Sequence, residues 1–269
     1  MNDKTKITLT PEQETLLIPL YAKAQPGNPL FFDPKAQDIL GRVDYDFSRL
    51  RVPYKTVVLV CQRAKKLDAV AKTFLAGPVN GVVLHLGCGL DSRLQRIDNG
   101  QVEWYELDMP PVIDLRRQFF AERERYHLIA SSVTDLAWMD TVAAAGRPVL
   151  VVAEGLLMYL GEADVKRLFL RLREGFPGCR LIADVFSRLT ARSASRHLSL
   201  KQTGASIGWG IDDPREAEGW AHGIRLLEEW YFTQDPDLDR LSLGYRLAYK
   251  LAGAFKIVQR AHRIVYYQL

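Results

Sequence analysis

The sequence predicts an α/β fold: a mostly parallel sheet with helices on both faces, a helical segment before it and an insertion after the fifth strand. Three observations predict it. From Val82 onward, short apolar runs alternate with stretches of helical period, the pattern of parallel strands joined by crossover helices. The first run, Val82-Val83-Leu84-His85-Leu86, passes into Gly87-Cys88-Gly89-Leu90-Asp91, a buried strand turning sharply into a helix start. Residues 1–80 show helical spacing and no strand pattern.

Composition bounds the function. A chain of 269 residues with 48% apolar and 25% charged residues fits one large domain, or a domain with a cap, and can bury a sizeable core. The net charge of +4 is small and its Lys and Arg are scattered among acids, which argues against nucleic acid. Cys61, Cys88 and Cys179 form no CxxC pair and five histidines show no ligand spacing, so neither a disulfide framework nor a metal site is expected. The start, Met1-Asn2-Asp3-Lys4, is polar, and the longest apolar stretch, Val149 to Leu160, holds Glu154 and is too short to span a bilayer. A cytoplasmic protein, monomeric or homodimeric and without a membrane partner, is expected.

Each element has its own signal. Thr10-Pro11-Glu12-Gln13 opens the first helix as a capping box, and Leu16, Leu17, Leu20 and Tyr21 continue it. Pro26-Gly27-Asn28-Pro29 breaks it, and Asp33-Pro34 starts a short second helix. Pro53 to Ala76 reads as a long helix with Val57, Cys61, Ala64, Leu67, Ala71 and Phe74 on one face, stopped by Gly77-Pro78. Strands follow at Val82–Leu86, Val102–Leu107, His127–Ala130, Val149–Ala153 and Arg180–Phe186, with helices starting near Asp91, Pro111, Trp138 and Glu162. Val165, Leu168, Phe169 and Leu172 make the last helix the clearest. An irregular insertion covers about 187–222, and Trp230–Thr233 and Ile264–Gln268 read as a closing pair, giving seven strands. Residues 1–80 are expected to form a lid and 81–269 the main domain.

Two strand ends carry acids. Asp108 follows Gly89 by 19 positions. In nucleotide-binding βαβ units an acid about 20 residues on accepts the ribose hydroxyls, so one of Glu106 and Asp108 is expected to read a ribose. Ala153-Glu154-Gly155-Leu156 places a carboxylate at the next strand end, where it needs a cationic partner. Ser92 replaces the third glycine of the dinucleotide fingerprint, which disfavours a nicotinamide enzyme.

The whole chain resembles the leucine carboxyl methyltransferase family, and more closely its bacterial small-molecule branch, the polyketide O-methyltransferases of the tetracenomycin type. Four stretches carry the resemblance: Val83 to Arg93, Trp104-Tyr105-Glu106-Leu107-Asp108-Met109-Pro110, Ala153 to Leu160, and Gly208-Trp209-Gly210-Ile211-Asp212-Asp213-Pro214, with Glu228-Glu229-Trp230 extending it. The resemblance implies a class I, Rossmann-like methyltransferase using S-adenosyl-L-methionine to methylate an oxygen, carboxylate or hydroxyl, of a small molecule. Carried over, Gly87, Cys88, Gly89 and Asp91 form the turn under the methionine part and Asp108 holds the ribose. Glu154 and Gly155 lie near the amino-acid or sulfonium end, Arg63 binds the methionine carboxylate, and Lys23 is a basic group of the lid. Ser132 and Val133 stand where the family usually carries an Asp-Leu pair beside the adenine.

The chemistry agrees with that implication. A carboxylate acceptor is ionised at neutral pH and needs no general base. Arg188, Arg192 and Arg196, just past the fifth strand, could hold such an acceptor, with Arg188 the first candidate, and Tyr159 could orient it. For a phenolic acceptor His197 or His222 is the candidate base, although structural roles are commoner. Trp209, Trp220 and Trp230 read better as core than as a pocket wall. Methylation of a protein C-terminal carboxylate, and cofactor binding without turnover, remain open.

Overall fold

The computed structural model describes residues 5–6, 14–77, 80–194 and 207–269. Seven strands form one sheet: β1 (Val82–Leu86), β2 (Glu103–Asp108), β3 (Tyr126–Ala130), β4 (Val149–Ala153), β5 (Arg180–Phe186), β6 (Arg225–Tyr231) and β7 (His262–Gln268). Their spatial order is β3-β2-β1-β4-β5-β7-β6. β1 to β5 pair in parallel, while β7 lies antiparallel between β5 and β6.

The sheet is buried on both faces, and strand alternation divides the core in two. Leu84, Leu86, Tyr105, Val151 and Leu181 point to one side, against Val165, Leu168, Phe169 and Leu172 of the helix Glu162–Gly175. Val83, Trp104, Leu150, Val152 and Ile182 point to the other. There they meet Leu17, Ile39 and Leu67 from the helices α1 (Leu17–Lys23), α2 (Pro34–Arg42) and α3 (Tyr54–Leu75). The N-terminal helices therefore share a core with the strands they overlie. Strands covered on both faces read as unbroken apolar runs, which is why β1, β4 and β5 match the expected bounds.

The remaining helices are α4 (Arg93–Ile97), α5 (Pro110–Arg116), α6 (Glu162–Gly175), α7 (Arg188–Ala194), α8 (Leu243–Ala254) and α9 (Lys256–Gln259). Asp33 caps α2 by accepting the amides of Lys35 and Ala36 at 3.0 and 3.1 Å.

Several elements differ from expectation. The segment near Trp138 is a 3-10 turn, Leu136–Thr141, because Asp135 caps one turn and Val142 is already extended. β6 runs over Arg225–Tyr231, and the expected Thr233 falls in a 3-10 turn after it. The insertion is less irregular than expected, with α7 inside it and a capped 3-10 turn at Pro214–Trp220. The capping box at Thr10–Gln13, and Arg196 and His197, lie outside the described residues.

Candidate active site

The strand order reverses between β1 and β4, and open α/β sheets bind ligands in the crevice that such a reversal opens at the carboxyl ends of the strands. A cavity of about 350 Å³ lies there. Its floor is the turn after β1, where Gly87 and Gly89 hold φ of +63° and +51°, a conformation that side chains with a Cβ rarely adopt. The Leu107 carbonyl accepts the Gly87 and Cys88 amides at 2.8 and 3.2 Å, pinning the turn to β2. One wall is the end of β2, where Asp108 accepts the amides of Gly89 and Met109, both at 2.8 Å. Burial pushes the Asp108 carboxyl above its ordinary value despite those amides. The opposite wall is Glu154-Gly155-Leu156 with Met158, Tyr159 and Phe186, and Leu16 and Pro19 stand on the side of the N-terminal helices.

Beside the cavity lies a buried network of charge. Lys23 of α1 pairs with Asp91 at 2.7 Å. Arg63 of α3 bridges Glu154 at 3.1 Å and Asp184 at 2.9 Å. Arg93 joins Asp68 to Glu154, and Arg96 joins Asp33, Asp68 and Asp91. Burial by itself would raise these carboxyls, but the cations hold Asp91 and Asp184 well below the usual carboxylate range and also lower Glu154. Four cations thus face five anions.

Of the residues expected at the site, Lys23, Arg63, Gly87, Cys88, Gly89, Asp91, Asp108, Glu154, Gly155 and Tyr159 line this one cavity. Four do not. Glu106 lies deeper in the same strand, fully buried, with its oxygens engaged by Arg116, Tyr126 and the Trp104 indole, outside the lining. Ser132 bonds Thr134 at 2.8 Å, and Val133 packs with Trp138 in the core. Both lie beside the β2 end, since Ser131 donates to the Asp108 carbonyl, but outside the lining. Arg188 grips Glu216 through both nitrogens at 3.0 and 2.6 Å on the surface of the insertion; it sits outside the lining, away from the place where an anion partner was expected. Arg192, in α7, is likewise outside the lining. The His222 carbonyl accepts from Arg173, and Trp209 belongs to the core.

Two residues of the site went unforeseen. Asp184, fully buried, accepts the Gly155 amide at 2.6 Å, Arg63 Nη1 at 2.9 Å and His262 Nε2 at 2.8 Å. An acid inside the apolar run Leu181-Ile182-Ala183-Asp184-Val185 was its visible signal. His262 reaches it from β7, with its ring 4.7 Å from those of Phe186 and Phe232.

A leucine carboxyl methyltransferase family model matches residues 20–173. The chain belongs to the leucine carboxyl methyltransferase family. It is 44% identical over 237 residues to the tetracenomycin polyketide synthesis O-methyltransferase TcmP of Streptomyces glaucescens, covering 86% of this chain and 87% of that one. It is 32% identical to the S-adenosyl-L-methionine-dependent methyltransferase dpfgK of Gibberella zeae, covering 87% and 86%. Among solved structures, a DUF574 family protein from Streptomyces avermitilis shares the fold, with a TM-score of 0.59 at 15% identity over 96% of this chain and 99% of that one. The fold is that of a class I methyltransferase, and the enzyme is an S-adenosyl-L-methionine-dependent O-methyltransferase.

The site fits that cofactor. Asp91 Oδ2 is buried 3.3 Å from Arg93 Nη2 but accepts no hydrogen bond among the described residues, so it keeps acceptor capacity for a ligand donor. Gly87 holds φ of +63°, and a Cβ there would stand 3.0 Å from Leu156 Cδ1, so the left-handed floor favours glycine. The donor carries a sulfonium, an ammonium and a carboxylate, net one positive charge, which complements the single negative excess of the network.

Proposed function

We propose that this enzyme methylates the carboxylate of a small, polyketide-derived acid. The observation that carries the reading is the absence of a poised base among the described residues that line the cavity. Its one imidazole, His85, is 1% exposed and faces Arg93 Nη1 at 3.3 Å, and Asp91 and Glu154 are tied into ion pairs. A carboxylate acceptor needs no proton removed, and the relative TcmP is named for polyketide synthesis.

In this reading Asp108 takes the ribose hydroxyls, and the Gly87–Gly89 turn supports the methionine part. Arg63 and Lys23 face its carboxylate, and Asp91 with Glu154 face its ammonium. The cofactor supplies an electrophilic methyl on a positive sulfur. Tyr159 stays protonated, because desolvation raises its hydroxyl, so it acts as a donor that orients the acceptor. The N-terminal helices serve as a lid over residues 81–269, and their Leu16 and Pro19 keep water from the reacting pair.

A hydroxyl acceptor is the second reading, and the His262–Asp184 pair favours it. With Nε2–H given to Asp184, His262 Nδ1 is left to take a phenolic proton, although His262 itself stands behind Phe186, outside the cavity lining. The test is methyl transfer from labelled cofactor to aromatic acids and to their phenolic analogues. Label released by mild alkali marks an ester and supports the first reading; label that survives marks an ether and supports the second.

A further inference from the structure

Of twelve large hydrophobic side chains exposed among the described residues, six lie between positions 243 and 258. Leu243, Leu247 and Leu251 recur every four residues along α8 at 67%, 57% and 64% exposure, and Phe255, Ile257 and Val258 continue the row across α9. The helix is not loosely seated. Its other face is anchored by Tyr245, edge-on to Tyr54 at 5.0 Å, and by the Tyr249 hydroxyl, which donates to Gln62 at 2.7 Å. The leucines are therefore the face that the fold leaves outward.

Within the segment itself the charge is of one sign. Residues 241–269 contain five Lys and Arg and no Asp or Glu. Arg246, Lys250 and Lys256 are exposed and have no acid partner among the described residues. The face also borders the active site. Lys256, Ile257 and Arg260 share a groove with Ser187, Leu189 and Asp212, the last paired with Arg188 at 3.8 Å, and Ser187 follows Phe186 of the methyl-transfer cavity.

We infer that α8 and α9 dock this enzyme on an anionic lipid bilayer, at the rim of its active site. A row of leucines beside unpaired cations is the make-up of a helix that lies in a membrane interface, its apolar side chains among the acyl chains and its cations at the headgroups. A second copy of the chain fits less well. A two-fold contact would set Arg246 and Lys250 near their own images, with no acid in the segment to answer them. A flat bilayer also requires no matching groove. The small, polyketide-derived acid would then meet the cavity from the lipid side, a step that rests on the acceptor proposed above.

The test uses the full chain with vesicles of phosphatidylcholine alone and of phosphatidylcholine mixed with phosphatidylglycerol, read by co-sedimentation. Binding to the mixed vesicles should be at least about tenfold stronger and should weaken as salt rises. Leu247→Glu with Leu251→Glu should abolish it, and Lys250→Ala with Lys256→Ala should weaken it severalfold on mixed vesicles only. All variants should bind adenosylhomocysteine as the parent does, which shows that the fold survives. Equal binding to both vesicles, or none to either, overturns the inference. So does light scattering that finds a dimer dissolved by the leucine substitutions, or capture of an acidic protein by this face without affinity for lipid. Loss of methyl transfer to carboxylic acids would sink the acceptor reading and leave the vesicle result untouched.

Discussion

Gly89 donates its amide to the Asp108 carboxylate at 2.8 Å, across 19 positions of sequence. The bond ties the glycine turn to the acid expected to read the ribose, so floor and wall are set by one contact. Removing the acid should cost both turn and ligand. Asp108→Ala should weaken adenosylhomocysteine binding by about 1–3 kcal/mol, read by titration calorimetry. Unchanged affinity would free Asp108 of its ribose role.

Acidification should separate binding from folding. Asp91, Glu154 and Asp184 are depressed in the folded state. Their stabilisation is complete above the unfolded carboxylate value, roughly 4, and is lost as pH falls through their folded values. Asp108 is raised and takes its proton first. Adenosylhomocysteine affinity should therefore fall at milder acidity than the far-ultraviolet circular dichroism does. Simultaneous loss of both would contradict this order.

Asp184→Ala should be strongly destabilising. It would leave Arg63 with a single acid and the Gly155 amide and His262 without their acceptor. Breaking a buried ion pair by removing one partner costs about 3–5 kcal/mol, measurable by urea unfolding. A loss below about 1 kcal/mol would mean the pair behaves like a surface one.

Gly155→Ala should injure the site in two ways. The position has φ +64°, and a Cβ there would stand 3.2 Å from both terminal nitrogens of Arg63. The left-handed backbone costs roughly 1–2 kcal/mol, and the displaced guanidinium should lower affinity for adenosylhomocysteine. Affinity equal to the parent's would show that Arg63 does not touch the ligand.

Arg188→Ala should do little. Its pair with Glu216 is partly exposed, and such pairs contribute about 0–1 kcal/mol. A large fall in turnover would restore the role expected from its place after the fifth strand.

How far the sequence can be read depends on what each residue's neighbours are. The strand ends were legible because a glycine turn, an acid about twenty residues on and a second acid after an apolar run are local patterns. Glu106 and Asp108 were not separable, because residues two apart share a strand face. What divides them is depth: Arg116 of α5 covers Glu106, while Asp108 stands at the open edge. The placement of Arg188 outside the lining was not legible, because adjacency to a strand end does not say which way the next helix turns. His262 was invisible because its meaning comes from Asp184, 78 positions away. The leucine row of α8 went unread between the two closing strands, and spacing alone would not tell a row that faces solvent from one that faces a core.

The place of β7 has a consequence for synthesis. It is the last of the seven strands to leave the ribosome, yet it lies inside the sheet, between β5 and β6. Until it emerges, β6 has no neighbour to pair with and β5 shows an open, apolar edge. It also brings His262, so Asp184 waits for one of its three donors until that moment. A nascent chain stalled short of residue 262 would hold the glycine turn and Asp108 but expose a sticky strand, and is the form most in need of a chaperone.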